Sequence, residues 1–339
     1  MKAVGLTRYL PAEDPESLVD LDLPDPMPNG RDILVRVKAI SVNPVDTKVR
    51  RSKGPDSVEV EPRVLGWDAA GIVEAVGPDV DLFCVGDAVF YAGSITRPGS
   101  NSEMHRVDER IVGRKPSSID FPDAAALPLT SITAWEMLFE RFGIDPSVGA
   151  RDQNILILAG AGGVGSIAIQ LAKWAGLMVT ATASRPETKA WCRELGADFI
   201  VDHRQPLAPQ LQKLGLNDFD YIANFHDTDT YWTFMAEWIK PQGMIGSIVE
   251  NKNALDLRLL KNKSAAFVWE FMFTRSMFQT PDLEVQGHIL NQIANLIDGG
   301  KIRGTLQETL KPINAANLRR AHRRLESGTM IGKLVLSGW

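Results

Sequence analysis

Cysteine is nearly missing from this chain: Cys84 and Cys192 are the whole supply in 339 residues. Two cysteines cannot build a disulfide framework or a four-thiolate metal lobe, and they suit a reducing compartment. Long apolar runs are missing as well. No window approaches about eighteen uninterrupted apolar residues, so no membrane span is expected. The first residues carry no sustained apolar stretch behind their basic positions, so no secretory leader is expected and a cytoplasmic location is the default reading. Histidine is sparse, and His105, His203, His226, His288 and His322 form no ligand-like spacing. A strong charge of one sign is missing too. The net charge of −5 does not recommend a nucleic acid or an anionic membrane as partner. The one basic run, Arg319-Arg320-Ala321-His322-Arg323-Arg324, reads as the solvated face of a helix.

What is present is an ordinary globular composition, 44% apolar and 23% charged, in a chain too long for one ordinary core. The first 120 residues read as strands cut by glycine and proline. Candidates are residues 33–40, 70–76 and 87–91, and no long helix intervenes. Near residue 122 the character changes. Residues 122–127 and 132–139 read as helical pieces. Short apolar strands at 155–158, 179–183, 199–201, 221–223 and 244–249 then alternate with helical patterns at 164–175 and 186–195. Strand, helix, strand at this spacing is the βαβ signature of a parallel sheet. Residues 265–273 suit a last sheet strand, 283–297 and 313–325 amphipathic helices, and 332–336 a closing strand.

The strongest chemical motif is Gly160-Ala161-Gly162-Gly163-Val164-Gly165, behind an apolar strand and ahead of an apolar helix. In that context Gly160 permits a tight turn, Gly162 removes a side chain that would block a pyrophosphate, and Gly165 lets helix and strand pack closely. The helix N-terminus, with Gly163 and Val164, offers unpaired N–H groups to phosphate oxygens. An acid that would bind the adenosine ribose hydroxyls is expected at the end of the next strand. This chain has Ser184 and Arg185 there, with Lys189 one turn on, a set that suits a 2′-phosphate and hence NADPH.

Several further stretches carry a resemblance. They are Val42-Asn43-Pro44-Val45-Asp46, Gly66-Trp67-Asp68-Ala69-Ala70-Gly71, Val85-Gly86-Asp87-Ala88-Val89, the segment from Leu127 to Trp135, the glycine turn, and Gly332-Lys333-Leu334-Val335-Leu336. Together they resemble the medium-chain dehydrogenase/reductase superfamily, its quinone oxidoreductase branch, and the proteins described as zinc-type alcohol dehydrogenase-like. The resemblance implies an α/β protein with a GroES-like β-rich catalytic domain at 1–127, an inserted Rossmann domain at 128–272, and a C-terminal return at 273–339 that completes the catalytic domain. It also implies a homodimer. Zinc-dependent members place ligands where this chain has Asn43 and Trp67; Trp cannot coordinate zinc, and Asp46 with Asp68 alone makes a poor zinc site. A metal-free enzyme is therefore expected.

Without a Lewis acid, hydride addition to a quinone or an α,β-unsaturated carbonyl is the expected chemistry, with hydrogen-bond donors holding the developing charge on oxygen. The resemblance places Asn43 near the nicotinamide, with Asp46 orienting its loop or simply capping the turn, and Thr133 beside the ring. Tyr91 is a candidate proton donor or a barrel-edge aromatic. Loops at the carboxyl ends of Rossmann strands line the ligand crevice, which brings in Asn224, His226, Ser247 and Val249. The rival readings are an alcohol dehydrogenase or carbonyl reductase of small substrates, and an NADPH-binding protein without turnover.

Overall fold

The computed structural model describes residues 1–150 and 152–339. The chain divides into two compact units, one formed by Met1–Ile132 with Phe273–Trp339, the other by Thr133–Met272. The first division thus falls at 132 rather than at the expected 127.

The first unit is built of β1 (Lys2–Arg8), β2 (Val19–Asp22), β3 (Asp32–Ser41), β4 (Val58–Val64), β5 (Ala69–Val76), β6 (Ala88–Tyr91), β7 (Met104–Asp108) and β8 (Val112–Arg114). Helices α1 (Pro44–Arg50), α2 (Phe121–Ala125) and α3 (Pro128–Trp135) complete its N-terminal part, α3 running on into the second unit. The second unit holds β9 (Asn154–Leu158), β10 (Met178–Thr182), β11 (Phe199–Val201), β12 (Phe219–Asn224), β13 (Ile239–Ser247) and β14 (Ala266–Trp269). Between them run α4 (Gly163–Trp174), α5 (Pro186–Glu194), α6 (Leu207–Lys213), α7 (Thr228–Trp238) and α8 (Arg258–Lys261). The chain then returns to the first unit with α9 (Thr274–Phe278), α10 (Val285–Asp298), β15 (Leu306–Leu310), α11 (Ala315–Glu326) and β16 (Lys333–Ser337).

In the second unit every strand pairing is parallel and the order is β11-β10-β9-β12-β13-β14. Counted from the first strand of the unit this is 3-2-1-4-5-6, the doubly wound order of dinucleotide-binding sheets. The central strand β9 is buried along its whole length, which is why its residues 155–158 read as an unbroken apolar run. Helix α4 is buried from Gly165 to Ala172.

The first unit is dominated by antiparallel pairing, in a seven-stranded sheet of order β15-β16-β3-β5-β6-β8 with β7 also on β3, and a three-stranded sheet β2-β1-β4. Its long strand β3 carries the return: Val335 of β16 lies opposite Ser41, and Leu336 opposite Ile40. That pairing sets the residue before Leu334 beside the loop that follows β3. Among the described residues no helix is long and apolar enough to cross a membrane. The basic run of α11 is tied to the protein's own backbone. Arg319 donates to the carbonyls of Pro15 (2.8 Å) and Leu18, Arg323 to that of Ala12 (3.0 Å), and Arg320 pairs with Glu308. His322, expected on a solvated face, is buried beside Arg50.

Candidate functional site

In the dinucleotide unit, the glycine turn connects β9 to α4, with Gly162 as the helix N-cap. Three of its four glycines have separable reasons. A Cβ on Gly165 would lie 2.3 Å from the Ala159 carbonyl oxygen and 2.8 Å from Gly160 Cα, so only glycine lets the helix come this close. A Cβ on Gly160 would lie 2.8 Å from Ala181 Cβ on the neighbouring strand. A Cβ on Gly162 would meet only the Ala159 oxygen, at 3.4 Å, and otherwise open space, which is the cradle a pyrophosphate needs. Gly160 does not make the tight turn expected of it. The left-handed residue of the turn is Ala159, with φ 64, held by an N–H bond to Thr182 Oγ1 (2.9 Å); Gly160 is needed for the approach of β10 instead.

At the end of β10, Ser184, Arg185 and Lys189 are all half-buried. The structure adds two residues that sequence reasoning missed. Arg204 donates to the Ser184 carbonyl (2.5 Å), and Asp202 binds both Lys189 (3.0 Å) and Arg204 (3.5 Å). Burial opposes the Asp202 charge, but the Arg204 backbone N–H and the Lys189 and Arg204 side chains outweigh it and hold the carboxyl well below its usual range. Arg185 pairs with Glu187 (3.1 Å). The cationic corner is therefore real but partly neutralised.

At the carboxyl ends of β12 and β13, Asn224 and Ser247 are fully buried. Asn224 Nδ2 donates to Thr228 Oγ1 (3.1 Å) and Ser247 Oγ (3.2 Å), its Oδ1 accepts the His226 N–H (3.1 Å), and Ser247 Oγ accepts the Val249 N–H (3.3 Å). This network shapes the strand ends, and Thr228 belongs to it although no sequence pattern marked it. His226 is the exposed member. Thr133 is buried in α3.

In the first unit, the loop Asn43-Pro44-Val45-Asp46 opens α1. Asp46 Oδ2 accepts the Asn43 N–H at 2.6 Å, the capping contact its position at the third helical residue allows. Its other oxygen, Oδ1, is buried with no partner. Burial, working against the Asn43 N–H and the Lys333 charge, pushes the Asp46 carboxyl up to about 7. Beside it stands a cluster assembled from remote parts of the sequence. Lys333 Nζ, 3% exposed, donates to the Val42 carbonyl (3.0 Å), to Asn43 Oδ1 and to Asp68 Oδ2 (2.9 Å). Asn43 Nδ2 donates to the same Asp68 oxygen (2.8 Å), and Asp68 Oδ1 accepts the Leu129 N–H (2.7 Å). Burial also pushes the Asp68 carboxyl up, against the pull of Lys333, Asn43 and Leu129.

Tyr91 stands apart from this cluster. It is fully buried and stacks on His105, with its hydroxyl 3.1 Å from His105 Nδ1. The other ring nitrogen faces the Pro98 carbonyl at 3.0 Å, and a carbonyl only accepts. Nε2 therefore carries the proton, Nδ1 accepts, and the tyrosine hydrogen is donated inside the first unit. Burial holds His105 neutral, down to about 4.

The residues at the implied zinc-ligand positions do not fit zinc. Asn43 Oδ1 already accepts from an ammonium. The Trp67 indole donates to the Ser94 carbonyl (3.1 Å) and packs edge-on against Phe273. Among the described residues no group of three His, Cys, Asp or Glu side chains could hold a metal. The glycine cradle, by contrast, fits a nicotinamide dinucleotide.

Comparison with known proteins agrees with this architecture. Residues 29–117 match the alcohol dehydrogenase GroES-like domain, and residues 195–336 match the zinc-binding dehydrogenase family. A zinc-type alcohol dehydrogenase-like protein of Staphylococcus aureus is 44% identical over 99% of this chain and 100% of its own length. A solved structure of a candidate zinc-dependent alcohol dehydrogenase from Rhizobium etli superposes with TM-score 0.94 at 52% identity, covering 100% of this chain and 98% of that one. The Escherichia coli quinone oxidoreductase solved with NADPH superposes with TM-score 0.83 at 25% identity, covering 99% and 100%. The chain belongs to the medium-chain dehydrogenase/reductase superfamily, among its zinc-type alcohol dehydrogenase-like members, and is an NAD(P)H-linked oxidoreductase of that fold.

Proposed function

We propose that the protein reduces quinones or α,β-unsaturated carbonyl compounds with NADPH and without zinc. The observation that carries this reading is the state of the Asn43 amide. Its oxygen is taken by Lys333 and one amide hydrogen by Asp68, so the group it still offers is an N–H donor. A donor without a metal suits a reaction in which negative charge appears on a conjugated oxygen. Bound NADPH supplies the hydride. Addition at the electron-poor carbon of an enone sends an electron pair to the carbonyl oxygen. Asn43 binds that oxygen, and water returns a proton to the α-carbon. With a quinone the same two-electron transfer leaves a hydroquinone anion that takes its proton from water.

The preference for NADPH is supported by Arg185, Lys189 and Arg204 around Ser184, where an acid would favour NADH. The similarity to an NADPH-bound quinone oxidoreductase supports it further. Thr133, Asn224, His226, Ser247 and Val249 belong to this reading as residues that shape the nicotinamide end of the site. A homodimer is the assembly the family suggests. A cytoplasmic setting is supported by two free cysteines, Cys84 exposed and Cys192 buried.

Absorbance at 340 nm tests the reading. Chelator-treated protein should oxidise NADPH with a quinone or an enone, and should show no comparable rate with a simple alcohol and NADP⁺. Alcohol turnover that needs added zinc would replace this reading with a zinc alcohol dehydrogenase. Tight NADPH binding with no turnover on any electrophile would leave a dinucleotide-binding protein.

A further inference from the structure

We propose that Lys333 is a positioning residue for the reaction, acting through Asn43: its buried ammonium fixes which way the Asn43 amide points and strengthens the N–H that the amide presents. This rests on the reading of Asn43 as the oxyanion donor.

Lysine has three N–H donors and no acceptor, and all three hydrogens of Lys333 find oxygens, on Val42, Asn43 and Asp68. The lysine reaches them because β16 pairs antiparallel with the end of β3; Ser41 Oγ and the Val42 N–H both bind the Leu334 carbonyl, at 2.9 and 3.3 Å. A flipped Asn43 amide would set its NH₂ against the ammonium and its oxygen against the Asp68 carboxylate. Both contacts are repulsive, so the ammonium and the carboxylate together allow one orientation. In that orientation one Nδ2 hydrogen serves Asp68, and the second has no acceptor among the described residues. A cation on the amide oxygen draws electron density from the nitrogen, and hydrogen bonds in series polarise one another at low dielectric. The free N–H is thereby the stronger donor toward an oxygen gaining charge. Such an effect favours the transition state over bound substrate, so it belongs in kcat rather than in KM.

The variants are Lys333→Met, which removes charge and donors, and Lys333→Gln, which keeps a donor, removes the charge and guards against a folding failure. NADPH oxidation with an enone should lose roughly 10- to 100-fold in kcat in Lys333→Gln, less than direct loss of an oxyanion donor. KM should stay within about threefold, and NADPH affinity should be unchanged. In an Asn43→Ala background the Lys333 substitution should add little, because the route runs through that amide. An unchanged kcat, or a full loss repeated in the Asn43→Ala background, overturns the proposal.

A second readout does not need turnover. In protein labelled with ¹⁵N-asparagine, the Asn43 Nδ2 hydrogen held by Asp68 should be protected from solvent exchange relative to its geminal partner, and Lys333→Gln should remove that protection. Two Nδ2 hydrogens that exchange equally fast in the wild type, or a protection that Lys333→Gln leaves unchanged, overturn the positioning role even if the protein reduces no quinone or enone. Lys333-dependent protection in a protein that turns over neither would instead sink only the proposed function.

Discussion

The two units encode their sites in opposite ways. In the dinucleotide unit the cradle is one short stretch, Gly160 to Gly165, in which Gly160 and Gly165 each answer a close contact within one βαβ turn and Gly162 keeps space open. In the GroES-like unit the cluster joins Asn43, Asp68 and Lys333, whose partners lie up to 290 positions apart in sequence. A local site can be read from a motif because the spacing fixes the geometry. An assembled site becomes visible only when strand pairing is known, and it carries buried charge whose cost must be met by the fold.

Removing a charge from the assembled cluster is the harshest test of that contrast. Lys333→Met leaves Asp68 buried without its cation, and chemical denaturation should show a loss of about 3–5 kcal/mol, of which Asp68→Asn in the same chain restores a part. A loss below about 1 kcal/mol would mean that solvent reaches the cluster.

Asp46 gives the pH dependence. Its carboxyl is raised from 3.8 to about 7 in the folded protein, so folding favours the protonated form. The stabilising contribution of that proton is complete below about pH 4 and is lost as pH climbs to 7, where the folded protein must bury a carboxylate. Asn mimics the protonated acid. Asp46→Asn should therefore gain about 2–3 kcal/mol on the wild type between pH 5 and pH 8, seen as diverging denaturation midpoints. Parallel midpoints across that range would show that Asp46 titrates normally.

The local cradle should separate stability from binding. Gly165→Ala forces a methyl to 2.3 Å from a backbone oxygen and should cost about 1–3 kcal/mol in stability. Gly162→Ala meets nothing closer than 3.4 Å, so its melting temperature should hold while NADPH affinity falls at least about tenfold. Equal thermal losses in the two would deny them separate roles.

The smallest effects belong to the phosphate corner. Arg185→Ala should weaken NADPH about tenfold and leave NADH almost unchanged. Asp202→Asn, which releases Lys189 and Arg204, should widen the preference by roughly a few-fold in fluorescence titrations. A narrower preference in Asp202→Asn would mean that the carboxylate holds the two cations in place for the phosphate.

Much of the Rossmann sheet was legible because buried parallel strands are apolar runs with glycine between them, and β9, β10 and β11 fall within a residue of expectation. Strand β13 begins at Ile239 rather than 244. Pro241-Gln242-Gly243 reads as a turn, yet the chain absorbs it as an irregularity in the pairing, with Gln242 at φ 65. Helix α7 was not legible. Its Thr228, Tyr231, Trp232 and Phe234 are weak helix formers, and the helix is secured by packing of Trp232, Met235 and Trp238 into the sheet. In the site, the motif pointed to Asn43 and Asp46, but Lys333 looked like one more residue of a closing strand. Arg204 and Asp202 were hidden for the same reason, since β11 sets them against the end of β10 only once the sheet forms.

NADPH oxidation with a quinone by chelator-treated protein, wild type beside Asn43→Ala, decides whether Asn43 works here without a metal. Wild-type turnover should survive chelation, and Asn43→Ala should lower kcat by roughly 10²–10³-fold with NADPH affinity unchanged. Turnover abolished by chelation and restored by zinc, or an Asn43→Ala protein as active as the wild type, would contradict a metal-free role for Asn43.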